Sequence, residues 1–371
     1  MRRGAAMALA LLGGLLGGLL AATLLAGCAG GPLGQRPPLG PPLGPPLGQP
    51  LGPQLGPQLG PQLGPSPGPA ALISAPVPAP EGENQRDTAP PKQLMLAGAE
   101  AIPIAHWPAT APVRAVILGL HGYGDHGAST FGRAARGWAA RGIAVYAPDQ
   151  RGFGRAPGRM RWPGAGTLIA DAGAIYAAVA ARHPGAALVV AGHSMGGGVA
   201  LAAAGEGLLP GAAGLVLLAP AVWGGASLNP VLRASAYVAA LVAPDLRWTG
   251  RGVVTVRPSD NREMLIALGR DPLHYSAPSG RDFMGLVRLM DRAVAAAPGA
   301  PGPTLVVLGA HEDVVNPASV RALSTHLRAG AEFAYPPNGW HMLLRDRDAG
   351  RVRDLVADWT LAQATVAGAP P

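Results

Sequence analysis

The chain has 371 residues and a formal net charge of +8, from 29 Lys and Arg against 21 Asp and Glu. Lys92 is the single lysine, and no basic cluster interleaved with aromatics occurs, so nucleic acid is excluded as an expected partner. Cys28 is the sole cysteine, which rules out an intramolecular disulfide.

The N-terminus opens with Met1-Arg2-Arg3 and continues as an apolar run of Leu, Ala and Gly to Ala26. A short basic start before an apolar stretch reads as an export signal. It ends in Leu25-Ala26-Gly27-Cys28, which resembles the lipobox of bacterial lipoproteins. That resemblance implies a signal peptide over 1–27, lipidation of Cys28 and a lipid-anchored protein of the cell envelope. A signal anchor or core helix is the alternative, but Gly13, Gly14, Gly17 and Gly18 make a poor packed helix.

From Pro32 to Pro65 the chain repeats Pro-x-Leu-Gly, with Leu39, Leu43, Leu47, Leu51, Leu55, Leu59 and Leu63 four residues apart. The spacing imitates a helical stripe, but each proline removes an N–H donor and disfavours a helical residue before it. Residues 28–92 therefore read as an extended, disordered tether, and residues 93–371 as one folded domain.

Inside that domain strands and helices alternate. Residues 102–106, 114–120, 143–147, 187–191, 215–219, 304–308 and 332–335 read as strands. Residues 130–141, 168–183, 196–205, 317–328 and 350–366 read as helices. Short continuous apolar runs between helices imply a mostly parallel sheet covered on both faces. The alternation fails between about 222 and 300, which reads as an inserted helical cap.

Gly192-His193-Ser194-Met195-Gly196 fits G-x-S-x-G, a weak pattern in a chain with 55 glycines. Gly64-Pro65-Ser66-Pro67-Gly68 fits it too, inside the proline spacer. Context separates the two: Ser194 follows an apolar strand and precedes a helix, the strand–turn–helix setting of a nucleophile elbow. A serine nucleophile needs a base, and the base an orienting carboxylate, in the chain order Ser, acid, His. Asp313, just past the run 304–308, is the favoured acid over Glu312 and Asp346. His341, in the loop after the last strand, is favoured as base over the helical His326. The oxyanion hole should use the N–H of Met195 and of Tyr123, the latter in His121-Gly122-Tyr123-Gly124-Asp125-His126. His121 and His126 as metal ligands is a weaker reading, since no paired-ligand spacing accompanies them.

These motifs, with Ala147-Pro148-Asp149-Gln150-Arg151-Gly152-Phe153-Gly154, Asp271-Pro272-Leu273 and Trp340-His341-Met342-Leu343, resemble the monoacylglycerol lipase and lysophospholipase branch of the α/β-hydrolases, also described as serine aminopeptidase-like. The resemblance runs from Leu94 to the C-terminus. It implies an α/β-hydrolase fold, with a mostly parallel eight-stranded sheet, helices on both faces and a helical cap. It also implies cleavage of fatty-acid esters of the monoglyceride or lysophospholipid type, with a hydrophobic cap and no cofactor. Trp223, Trp248, Met264, Met284 and Met290 are candidates to line an acyl tunnel, while each taken singly reads as ordinary core. One departure is Gln150, where many members carry a histidine. An aminopeptidase would instead need a cap carboxylate for the substrate amine, for which Asp245, Asp260, Glu263 and Asp282 are candidates. A catalytically silent surface-anchored binding protein is the reading from another class.

Overall fold

A computed structural model describes residues 71–74, 92–96, 100–224, 234, 237–238, 240–247, 256–327 and 331–366. Residues 1–27, Cys28, the Pro-x-Leu-Gly repeats and Trp248 lie outside the described residues. Among the described residues no helix is long and apolar enough to cross a membrane.

The centre is a nine-stranded sheet in the order β1-β2-β3-β5-β4-β6-β7-β8-β9. Its strands are β1 (Leu72–Ser74), β2 (Lys92–Leu96), β3 (Ile102–Trp107), β4 (Ala115–Leu120), β5 (Ile143–Pro148), β6 (Ala187–His193), β7 (Gly214–Leu218), β8 (Thr304–Val307) and β9 (Ala331–Ala334). From β5 to β9 every neighbouring pair is parallel, and β1, β2 and β3 add antiparallel on one side. β4, β6 and β7 are buried along their whole length, which explains why they are uninterrupted apolar runs.

The sheet has one strand more than expected. Leu72-Ile73-Ser74, inside the stretch read as tether, pairs with β2 in the register Leu72↔Leu96. Three residues among prolines carry too little periodicity to announce a strand; the open edge of β2 supplies the pairing.

Helices α1 (Gly127–Ala140), α2 (Ala165–Arg182), α3 (Met195–Gly205), α4 (Arg262–Arg270), α5 (Gly280–Ala296), α6 (Pro317–Ala322) and α7 (Ala349–Val366) follow in chain order. α1 and α7 pack together on one face, while α2, α3 and α5 pack together on the other. This corrects the extent of the cap. α5 starts with a capping box between Ser279 and Asp282, and it buries Phe283, Met284, Val287, Leu289, Met290 and Ala293. Met284 and Met290 are therefore core packing on α3's side of the sheet, and Trp223 likewise lies in the hydrophobic core. Met264, on α4, is half-buried.

Candidate active site

Ser194 sits between β6 and α3 with φ 51° and ψ −116°, in the left-handed half of backbone space that a residue with a Cβ avoids. The turn is held from both sides. Ser194 N–H donates to Leu218 O (2.9 Å), and Ser194 O accepts from Gly197 N (2.9 Å), Gly198 N (3.2 Å) and Ala221 N (2.9 Å). Such strain, costing about 1–3 kcal/mol, persists only where the surroundings over-determine it. The turn presents the side chain at the C-terminal edge of the parallel strands, beside the N-terminus of α3, where the helix dipole favours negative charge.

His341 is buried in the loop after β9. Its ring lies 4.9 Å, centroid to centroid, from that of His193, the residue before Ser194. His193 Nε2–H donates to the His341 carbonyl (3.0 Å), tying the base loop to the nucleophile turn. Burial first, then the neighbouring His341 and Arg345, lowers the His193 pKa to about 3, so this ring is a neutral strut.

The carboxylate on His341 is Glu312, and this corrects the expectation of Asp313. His341 Nδ1 stands 3.1 Å from Glu312 Oε1 and 3.0 Å from Oε2. Glu312 Oε1 also accepts from Val314 N (2.7 Å) and Val315 N (3.0 Å). Burial alone would raise the Glu312 carboxyl, but His341 and these two amides hold it below its ordinary 4.5. Asp313, one residue on, points elsewhere and accepts from Arg257 N (2.9 Å) in the cap. The turn after β8 sets the choice. Glu312 N–H donates back to Gly309 O (3.2 Å), and His311 N–H to Gly339 O (2.9 Å), so the fourth residue of the turn faces the base loop. The other candidates play different parts. Asp346 accepts from Ser259 Oγ (2.6 Å) and Trp340 N (2.8 Å), bracing the base loop, and burial raises its carboxyl. His326 is exposed, with Nδ1 on Ala322 O (2.9 Å).

The loop after β4 closes the site. A Cβ on Gly122 would stand 3.4 Å from Ser194 Cβ and 3.1 Å from His193 Nδ1, so the loop backbone lies directly against the nucleophile. Gly122 C=O shares a peptide plane with the Tyr123 N–H. That carbonyl accepts from His121 Nδ1 (2.7 Å) and from Asp125 N (3.3 Å), which fixes the direction of the Tyr123 N–H. His121 Nε2 in turn accepts from Gln150 N (2.9 Å), and Gln150 Nε2 donates to His121 O (2.7 Å). Gln150, just past β5, thus braces the loop. Burial lowers the His121 pKa, matching a neutral ring that donates at one nitrogen and accepts at the other.

His126 caps α1, its Nδ1 accepting from Ser129 N (3.3 Å), and its Nε2 meets Asp271 Oδ2 at 2.8 Å. All four ring nitrogens of His121 and His126 are therefore spent on the protein, which argues against their use as metal ligands. The His126–Asp271 pair joins the end of the loop after β4 to the cap. Burial opposes charging His126, as does the Ser129 N–H that only its neutral Nδ1 can accept, but Asp271, then Asp125 and Asp149, raise its pKa above the ordinary 6.5. A raised histidine stabilises the fold fully below 6.5 and loses that contribution as pH rises through its folded value. The melting temperature of Asp271→Asn should thus fall further below wild type at pH 6 than at pH 9. A deficit independent of pH would refute the link.

The sequence profile of the family described as "Serine aminopeptidase, S33" matches residues 111–348. A monoacylglycerol lipase of Mycolicibacterium smegmatis is 30% identical over 263 residues, covering 69% of this chain and 91% of that one. The fold matches the crystal structure of Paleococcus ferrophilus monoacylglycerol lipase with a TM-score of 0.60 at 22% identity, covering 71% of this chain and 99% of that one. It matches a soluble variant of Saccharomyces cerevisiae monoglyceride lipase with a TM-score of 0.63 at 21% identity, covering 78% and 99%. Together with the strained serine turn and the mostly parallel sheet, these matches show that the chain belongs to the serine aminopeptidase S33 family of α/β-hydrolases.

Proposed function

We propose that the protein hydrolyses carboxylic esters of fatty acids, of the monoacylglycerol or lysophospholipid type, through an acyl-enzyme on Ser194. The observation that carries this reading is the convergence of a strained Ser194 turn, a buried His341 and a buried Glu312 at the C-terminal edge of one sheet. His341 takes the Ser194 Oγ proton as oxygen attacks the ester carbonyl. Glu312 stabilises the imidazolium that forms. The Tyr123 and Met195 N–H groups receive the oxyanion. His341 then gives its proton to the departing alcohol, and a water deprotonated by the same ring releases the fatty acid. The monoacylglycerol lipase relative supports the substrate class.

Export and anchoring through a lipid on Cys28 complete the proposal, with residues 28–71, which precede β1, spacing the enzyme from the membrane that supplies its substrate. The support is the Leu25-Ala26-Gly27-Cys28 sequence and the repeat that follows.

The candidate carboxylates weigh against an aminopeptidase. Asp282 is buried and committed to Tyr123, Arg247 and Ser279. Asp245 pairs with Arg281, Asp260 accepts from Arg347 N, and Glu263 is exposed in the first turn of α4. We expect hydrolysis of p-nitrophenyl acyl esters, none of aminoacyl amides, and fluorophosphonate labelling that Ser194→Ala abolishes. An unlabelled wild type would instead make this a silent binding protein.

A further inference from the structure

Tyr123 is placed by more than its backbone. Its hydroxyl donates to Asp282 Oδ2 (2.7 Å), an oxygen that also accepts from Arg247 Nη1 (3.0 Å) and Ser279 N (3.0 Å). Burial first, then Tyr275 and Asp282, raises the Tyr123 phenol above its ordinary 10.0, so it is a donor throughout the neutral range. Asp282 belongs to the first turn of α5, which packs against α3, the helix that begins just after Ser194. The carboxylate is thus fixed to the same rigid layer as the nucleophile. Arg247 comes from the cap. It also donates to Ala277 O (2.7 Å) and to Met160 O, and its guanidinium lies 5.2 Å from the centre of the Tyr275 ring. Tyr275 N–H donates to Gly124 O (2.9 Å), and the Tyr123 ring makes edge contacts with Phe153 and Tyr275.

A capping box needs only Ser279 and the Asp282 carboxylate. It does not need a tyrosine from the loop facing the nucleophile, nor an arginine from the cap, on the same oxygen. We propose that Asp282 is a positioning residue of the oxyanion hole. Through the Tyr123 hydroxyl it holds the loop that carries the Tyr123 N–H, and through Arg247 it makes that hold depend on the seating of the cap. This rests on the hydrolase reading above and deepens it.

The experiment uses the full chain, a p-nitrophenyl acyl ester, and an alkyl trifluoromethyl ketone, which forms a tetrahedral adduct whose oxygen occupies the hole. Removing a whole oxyanion donor costs on the order of 10²–10³ in rate, and loosening one should cost less. Tyr123→Phe should lower kcat about tenfold with KM changed less than about twofold, and weaken the ketone by the same factor as kcat, with an unchanged melting temperature. Asp282→Ala should act in the same direction, and Tyr123→Phe should add nothing to it, because both break one contact. If Asp282→Ala fails to fold, Tyr123→Phe decides alone. Wild-type kcat and ketone affinity in Tyr123→Phe overturn the proposal while leaving the hydrolase reading intact. A wild type that neither hydrolyses the ester nor takes a fluorophosphonate label overturns both.

Discussion

Glu312→Gln should lower kcat by on the order of 10⁴-fold, the cost of removing the charge behind a catalytic histidine, while Asp313→Asn stays within about twofold of wild type. The two residues are adjacent in the chain and differ in everything that matters to the reaction. Glu312 has both carboxylate oxygens at hydrogen-bond distance from His341 Nδ1. A glutamine there cannot balance the imidazolium. Its amide nitrogen would also have to face either His341 or the Val314 and Val315 N–H groups that now meet Oε1. Asp313 accepts one backbone N–H from Arg257, which an asparagine oxygen accepts equally well. Glu312→Asp keeps the charge but retracts it by one methylene, so a loss on the order of 10²-fold is expected.

A pH signature accompanies these rates. The folded Glu312 pKa is depressed below 4.5, so its contribution to stability is present above 4.5 and is lost as pH falls through the depressed value. The stability deficit of Glu312→Gln, followed by denaturant melts, should shrink as the solution is acidified below pH 4.5. Collapse of activity in Asp313→Asn with Glu312→Gln intact would return the role to Asp313.

The sequence shows the frame of this site more clearly than its last contact. Ser194 is legible because an apolar strand, a glycine-flanked turn and a helix are all local patterns. His341 is legible from its place after the last strand. Glu312 is obscured by the neighbouring Asp313. Both are acids past the same strand, and only the turn from Gly309, pinned by hydrogen bonds to Gly339 and Pro336, decides which faces the base loop. That pinning joins two segments about thirty residues apart, so no local pattern holds it. The same limit hid the role of Asp282, which along the chain reads only as one of several carboxylates between 222 and 300. Its meeting with Tyr123 spans 159 residues. The edge strand β1 is obscured for a different reason: its environment is β2, and its own sequence carries almost no signal.

Gly196→Ala should leave little or no folded protein, and Gly192→Ala should do the same. A Cβ on Gly196 would lie 2.1 Å from Leu120 O and 2.6 Å from His121 O, and a Cβ on Gly192 would lie 2.3 Å from Gly196 O. These are backbone atoms of the central strand and of the nucleophile turn, so no side chain can swing aside. The backbone can yield only by separating β6 from α3, or β4 from both, and Ser194 N–H is already committed to Leu218 O across that junction. A cost above about 4 kcal/mol follows, which for a domain of this size is a fall in melting temperature on the order of 10 °C or more. Any molecules that did fold would have Leu120 and His121 displaced, and with them the Gly122–Tyr123 peptide, so their kcat should fall as well. Gly137 supplies the comparison. It lies exposed on α1, where an added Cβ would meet nothing within 4 Å, and Gly137→Ala should stabilise the chain by about 0.5–1 kcal/mol through helix propensity. Circular-dichroism melts of the three variants separate a glycine required by close approach from one that is merely present. A Gly196→Ala protein melting within a few degrees of wild type would show that the G-x-S-x-G glycines are not what brings strand and helix together around Ser194.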